Sequence, residues 1–275
     1  MTDYLVEEFN ISIRRACSLI GSSRSSHYYP SKPRDDTEIR RRLRELAHKH
    51  KRYGCPRLHV MLKREGYDIN HKRIERLYRE EKLKIRKKKR VKRPQRGKFK
   101  MPEVKRINHV WATDFIHDSL VNGRKLKNMP VLDLFGRRCL RIETAFSIGS
   151  MRVIDIMERL IAIYGQPEIL LTDNAPEFIS KAYRAWADKR GIKLCYIDPG
   201  KPLQNAYTES FNDKFRDECL NENYFIALAQ AQAITGNWRI EYNSERPHSS
   251  LNYMTPDEFI AKDSAAPKEK ISAIL

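Results

Sequence analysis

The 275 residues include 54 Lys and Arg against 35 Asp and Glu, with a hydrophobic fraction of 40%, which suits about two domains and leaves enough apolar surface for a real core. The basic surplus is confined to one end: residues 1–100 hold 31 Lys and Arg against 12 Asp and Glu, whereas residues 101–275 hold 23 of each, as expected if the first third grips a polyanion. Five scattered cysteines with no Cys-x-x-Cys pair argue against a disulfide framework or a zinc site. With no signal-peptide pattern and no apolar run near the roughly 18–20 residues of a membrane span, a cytosolic protein with reduced thiols is expected.

In chain order, residues 1–31 predict short helices. Ile13, Ala16, Cys17 and Ile20 recur at helical spacing, Gly21 stops them, and Ser22 to Tyr29 begins another. A loose helix-turn-helix and a helical pair used only for packing account for this segment equally well. Pro30 and Pro33 then break the chain. Residues 32–83 predict a helical DNA-binding domain: Ile39, Leu43, Leu46 and Ala47 form one apolar stripe, Leu58, Met61 and Leu62 a second, and Ile74, Leu77 and Tyr78 a third that follows Asn70 as N-cap. Lys72, Arg73 and Arg76 point away from that last stripe and are candidate phosphate contacts. His48, His50, Cys55 and His59 cluster here too, and read as helix-surface residues rather than zinc ligands. Residues 84–106 predict a basic linker, in which Lys87, Lys88, Lys89 and Arg90 are further candidate DNA contacts.

The catalytic candidate spans residues 107–226. Val110 to Ile116 alternates as a strand with Asp114 in its middle, Met129 to Phe135 and Cys139 to Phe146 predict two more strands, and a buried helix from Val153 to Ile163 follows. Ile169 to Leu171 predicts a short buried strand, Ala182 to Arg190 a helix, and Leu194 to Ile197 another strand. Three antiparallel strands followed by alternating helix and strand is the order of a ribonuclease-H-like α/β domain, a mixed five-stranded sheet with flanking helices. Residues 227–263 predict a helical extension and 264–275 a mobile tail.

Three carboxylates stand out by context. Burying Asp114 without a partner would be costly, Asp173 follows a buried strand where ligands of open α/β sheets bind, and Glu209 lies opposite the apolar stripe of Phe211, Phe215 and Cys219. Asn205, Asn212 and Arg216 share the Glu209 face and suit phosphate contacts. Oxygen ligands of this kind suit Mg²⁺ or Mn²⁺, and two such ions support in-line phosphoryl displacement by water or a 3′-hydroxyl.

The runs Trp111-Ala112-Thr113-Asp114, Thr172-Asp173-Asn174-Ala175-Pro176-Glu177-Phe178 and Pro199 to Asn212 resemble the integrase-core signatures of DDE transposases. With Tyr242 to Leu251 and Thr255 to Phe259 they are most similar to the second-reading-frame protein (OrfB) of the bacterial IS-three family, over nearly the whole chain. The resemblance implies Asp114, Asp173 and Glu209 as the catalytic and metal-binding triad. It also implies strand cleavage and transfer at the terminal inverted repeats of a mobile element and at target DNA. An upstream-frame helix-turn-helix partner, possible fusion with it, a homo-oligomer on DNA and a nucleoid-associated place in the bacterial cytoplasm follow in the same way. Arg246 and His248 lie in the last signature and are expected DNA contacts, a structural turn being the other reading. Ala175 stands where the family usually has Gly, and Leu134 and Gly136 replace its usual Asp and Ser. If position 175 needs positive φ, alanine would strain the Asp173 loop. A DNA-binding regulator or partner subunit without catalysis, and a plain ribonuclease-H-like nuclease, are the competing functions.

Overall fold

The computed structural model describes residues 1–29, 35–85, 103–197 and 206–265, and the chain falls into two units, Met1–Arg42 and Leu43–Leu275. In the first unit, α1 (Thr2–Phe9), α2 (Ile13–Leu19) and α3 (Arg24–Tyr28) follow one another. Ser12 and Ser23 start the latter two: their hydroxyls accept from the N–H groups of Arg15 (3.3 Å) and Ser26 (3.2 Å), donors that a helix start leaves without a partner. Gly21 turns the chain between them at φ 65°.

The helix α4 (Thr37–Lys49) spans the boundary, and α5 (Cys55–Arg64) and α6 (His71–Glu80) follow in the second unit. Leu43, Leu46, Leu58, Leu62, Ile74 and Leu77 are all buried, so the helical stripes meet as their spacing predicts. Asn70 caps α6 by accepting from the Lys72 N–H at 2.9 Å.

One mixed sheet organises the rest of this unit. Its elements in chain order are β1 (Val110–Thr113), β2 (Ile116–Ser119), β3 (Lys125–Asp133), β4 (Arg138–Ala145), α7 (Ser150–Tyr164), β5 (Ile169–Thr172), α8 (Pro176–Ile179), α9 (Lys181–Arg190) and β6 (Lys193–Tyr196). Then come α10 (Ala206–Glu218), α11 (Leu228–Ser244) and α12 (Pro256–Ala265). β3 pairs antiparallel with β1, β2 and β4, while β5 runs parallel to both β1 and β6.

The expected continuous first strand is corrected here. It breaks at Asp114 and Phe115, although both halves keep one register along β3, Thr113 opposite Val131 and Ile116 opposite Asn128. Six strands rather than five result from that break among the described residues. Its local cause is a bond from the Phe115 N–H to Asp114 Oδ1 at 2.7 Å, because a short Asx side chain competes with the ladder for backbone donors.

Strand alternation sorts the core into two layers. Val110, Ala112, Leu132 and Leu171 face Phe211, Phe215, Trp238 and Tyr242 of α10 and α11. On the opposite face Trp111, Val131 and Leu170 meet Val153, Met157 and Leu160 of α7, with Phe178 and Tyr183. Both faces are covered, as the parallel part of a sheet requires.

Candidate active site

Asp114 and Asp173 are brought together by strand register. β1 and β5 run parallel with Val110 beside Ile169 and Ala112 beside Leu171, so two residues further on Asp114 and Asp173 leave the sheet side by side. Neighbouring strands lie about 4.8 Å apart. Phe211 and Phe215, both buried, seat α10 on the same sheet. The Asn212 side-chain amide then donates to Asp114 Oδ2 at 2.9 Å, and Glu209 precedes Asn212 by one helical turn on an exposed face.

Electrostatics agree with this arrangement. Burial pushes the Asp114 carboxyl up to about 6; the Phe115 N–H and the Asn212 amide oppose that rise, and the charges of Asp173 and Glu209 add to it. The three carboxylates thus share one field, although among the described residues no group of three or more His, Cys, Asp or Glu side chains is close enough to hold an ion. They are neighbours, not an assembled ligand shell. The donor set fits a hard divalent cation, since all three groups offer oxygen and a cation would offset both the burial and the neighbouring charges that raise Asp114. Asn212 Oδ1 is a buried acceptor without a partner among the described residues.

Residues 198–205 lie outside the described set, and so does the Asn205 expectation. The loop after Asp173 is ordinary backbone: Ala175 has φ −61° and ψ 145° and caps α8, so alanine brings no strain there. Its N–H donates to Asp173 Oδ1 at 3.1 Å. Gly136 has a separate reason, because an added Cβ would come within 2.6 Å of Ile260.

A group that sequence reasoning passed over braces the two aspartate segments. Lys127 of β3 forms an ion pair with Glu177 of α8 and lies 3.6 Å from the centre of the Phe115 ring, which stacks on Phe178 at 4.9 Å. Residues next to Asp114 and just after Asp173 are thereby tied through one lysine. Glu177 and Phe178 were visible inside the motif that carries Asp173, but the partner lysine on another strand was not.

The expected DNA contacts separate into three groups. Lys72 and Arg76 are exposed on α6 and Arg216 on α10, Arg76 within 3.7 Å of Glu80 and Arg216 donating to the His117 carbonyl at 3.0 Å. Arg73 is half-buried, as is Asn212, which serves Asp114 instead. Lys87, Lys88, Lys89 and Arg90 lie outside the described residues. Arg246 and His248 are corrections: they are 2% and 5% exposed, Arg246 bonds both oxygens of Glu218 at 2.7 and 2.5 Å, and the His248 ring packs edge-on against Tyr242. Polarity misled the sequence-based expectation, since a buried ion pair needs the same residue types as a phosphate contact.

Models of known families match most of the chain: an integrase core domain over residues 104–202 and again over 190–256, and an HTH-like domain over 33–91. The chain is 45% identical over 262 residues to the 31.7 kDa protein of insertion element IS407 from Burkholderia multivorans, covering 94% of each. It is 42% identical to the 39.2 kDa protein of insertion element IS476 from Xanthomonas euvesicatoria, covering 94% of this chain and 75% of that one. Transposase InsD of insertion element IS2D from Escherichia coli is 25% identical over 92% of this chain and 86% of its own. Among solved structures, a simian T-cell lymphotropic virus intasome in complex with a PP2A regulatory subunit superposes with TM-score 0.52 at 15% identity, over 82% of this chain and 76% of that one, which shows a shared fold. No helix of the described residues is long and apolar enough to cross a membrane. With this identity over nearly its full length, the chain belongs to the insertion-element transposases of the IS-three family, OrfB type, with a retroviral-integrase-like core and an HTH-like domain.

Proposed function

We propose that the chain cleaves one DNA strand at the terminal inverted repeats of a mobile element and joins the freed 3′-hydroxyl to another phosphate, using Asp114, Asp173 and Glu209. The observation that carries this is the parallel register of β1 and β5, which sets Asp114 beside Asp173 under a helix whose Asn212 bonds Asp114. These three carboxylates would hold Mg²⁺ or Mn²⁺, in two ions, and such ions when bound supply Lewis-acid charge for an in-line displacement at phosphorus. Asn212 orients Asp114, the Ala175 N–H holds one oxygen of Asp173, and the Lys127 to Glu177 pair braces the segments that carry both. No protein nucleophile is required.

In the same reading residues 32–83 and the basic 84–106 bind DNA, residues 107–226 catalyse, and 227–263 brace the core. The protein would work as a homo-oligomer on bacterial nucleoid DNA, alone or joined to an upstream-frame helix-turn-helix protein. Incubation of labelled element-end DNA with the chain and Mn²⁺, with and without that partner, is the test: cleavage and end joining are expected. Hydrolysis without joining would leave a plain nuclease, and no chemistry in either case would leave a DNA-binding protein. Glu209→Gln should end the chemistry while DNA binding survives.

A further inference from the structure

The buried signature arginine has a second consequence. Arg246 follows α11 and is almost wholly enclosed, yet its bidentate partner Glu218 is the last residue of α10. The same carboxylate lies 3.8 Å from Arg57 of α5. Tyr53, just before α5, is buried between the two arginines, its ring centre 5.5 Å from the Arg57 guanidinium and 5.9 Å from that of Arg246. His50, expected on a helix surface, is buried too and stacks on Tyr53 at 4.4 Å.

Around this hub runs a rim in which one side is basic and the other acidic. Lys49 reaches Glu245 (3.3 Å) and Lys51 reaches Glu222 (3.1 Å). Arg52 donates to Asp217 at 2.8 Å, and Arg64 to Glu258 at 2.6 Å and to the Tyr253 carbonyl at 3.1 Å. The two sides are not closely packed throughout, for a crevice of about 220 Å³ remains between them. Exposed ion pairs contribute little each and are screened by salt, whereas a buried pair costs too much desolvation to be retained for strength alone and is best suited to fixing one arrangement.

We infer that Arg246, held by Glu218, is a positioning residue that fixes the helical segment from Lys49 to Arg64 on the C-terminal end of α10. Glu209 lies nine residues earlier on that helix, about 13.5 Å away at 1.5 Å per residue. A grip on DNA by the helical region is thereby kept at a set distance from the carboxylates, a step that rests on the DNA-cleaving reading above. Basic residues on this rim are paired with carboxylates of the same chain.

The docking itself is tested without DNA. Zero-length carbodiimide coupling of the full chain should join Lys49 to Glu245 and Lys51 to Glu222 within one molecule, in a mixture of isotopically light and heavy protein, and Arg246→Gln should remove both links. Links absent from the unaltered chain, or formed only between light and heavy copies, overturn the inference. Should Arg246→Gln fail to fold, Arg246→Lys and the half-buried pair Arg52→Asp with Asp217→Arg take its place: the first should keep the links, and the doubly reversed pair should keep them where Arg52→Asp alone weakens them. The positioning role is read on element-end DNA. Arg246→Gln should lower turnover by about tenfold or more, since small misplacements near a reacting centre cost this much, with half-saturating DNA unchanged and partial rescue in Arg246→Lys. Unchanged turnover, or a loss confined to DNA affinity, refutes it. An unaltered chain that makes the cross-links but never cuts DNA would sink the functional reading and leave the docking intact.

Discussion

Two charged clusters of this protein are built on opposite principles. Where β1 and β5 end, Asp114 and Asp173 leave the sheet side by side, amide and backbone N–H groups bond both, and the charges of Asp173 and Glu209 add to the effect of burial on the Asp114 carboxyl. At the far end of α10, Arg246 and Glu218 are nearly as enclosed as any core side chain and neutralise each other. A buried carboxylate among like charges is a cost to the folded chain, while opposite charges paired in the interior fix one arrangement of it.

The largest effect should come from the first cluster. Replacing Asp114, Asp173 or Glu209 by the matching amide should lower strand cleavage on the order of 10³-fold or more, measured on labelled ends with DNA binding followed separately. Near-normal cleavage in any one variant would remove that residue from the triad.

Stability should respond with opposite sign in the two clusters. Arg246→Gln removes the bidentate partner of the buried Glu218, leaving Arg57 at 3.8 Å and the charges of Lys214 and Arg52, and should cost about 3–5 kcal/mol. Phe215→Ala, which empties a fully buried site in the last turn of α10, should cost a similar amount, about 3–5 kcal/mol. Asp114→Asn should instead stabilise the metal-free protein at neutral pH, by about 1–3 kcal/mol. Denaturant titration compares the three, and destabilisation by Asp114→Asn would show that the carboxylate cluster is no burden.

The pH dependence follows from the same raised carboxyl. Its pKa in the folded chain, about 6, exceeds the ordinary 3.8, so folding favours the protonated form. That contribution is complete below the ordinary value and is lost as pH rises through about 6. Mg²⁺ or Mn²⁺ competes with the proton, so added cation should raise the melting temperature more above this window than within it. The reverse order would separate Asp114 from the ion. Smallest of all, Lys49→Ala on the exposed part of the rim should change stability by only about 0–1 kcal/mol.

Much of the candidate site was marked in the sequence because its parts are local. Asp114 was marked by strand alternation, Glu209 by the apolar stripe opposite it, and Asn70 by its place before a helical pattern. The break of the strand at Asp114 was not legible, since it depends on one side chain capturing the next N–H. Nor was the ease of Ala175, because a residue name does not give its φ. Arg246 stood out as important but for the wrong reason, because polarity in a signature is the same on the surface and in the interior, and only packing tells them apart.

By itself the sequence determined most helices and strands and the segregated charge, which follow from side-chain period and residue type within a few turns of chain. It also singled out Asp114, Asp173 and Glu209 as candidates by context and by the resemblance of their motifs. Tertiary structure alone decided which residues meet. The register of β1 against β5 set Asp114 beside Asp173, and the burial of Arg246 set α5 against α10. Those pairings join segments tens to nearly two hundred residues apart, where no local periodicity reaches and only the closing of one shared core fixes the partner.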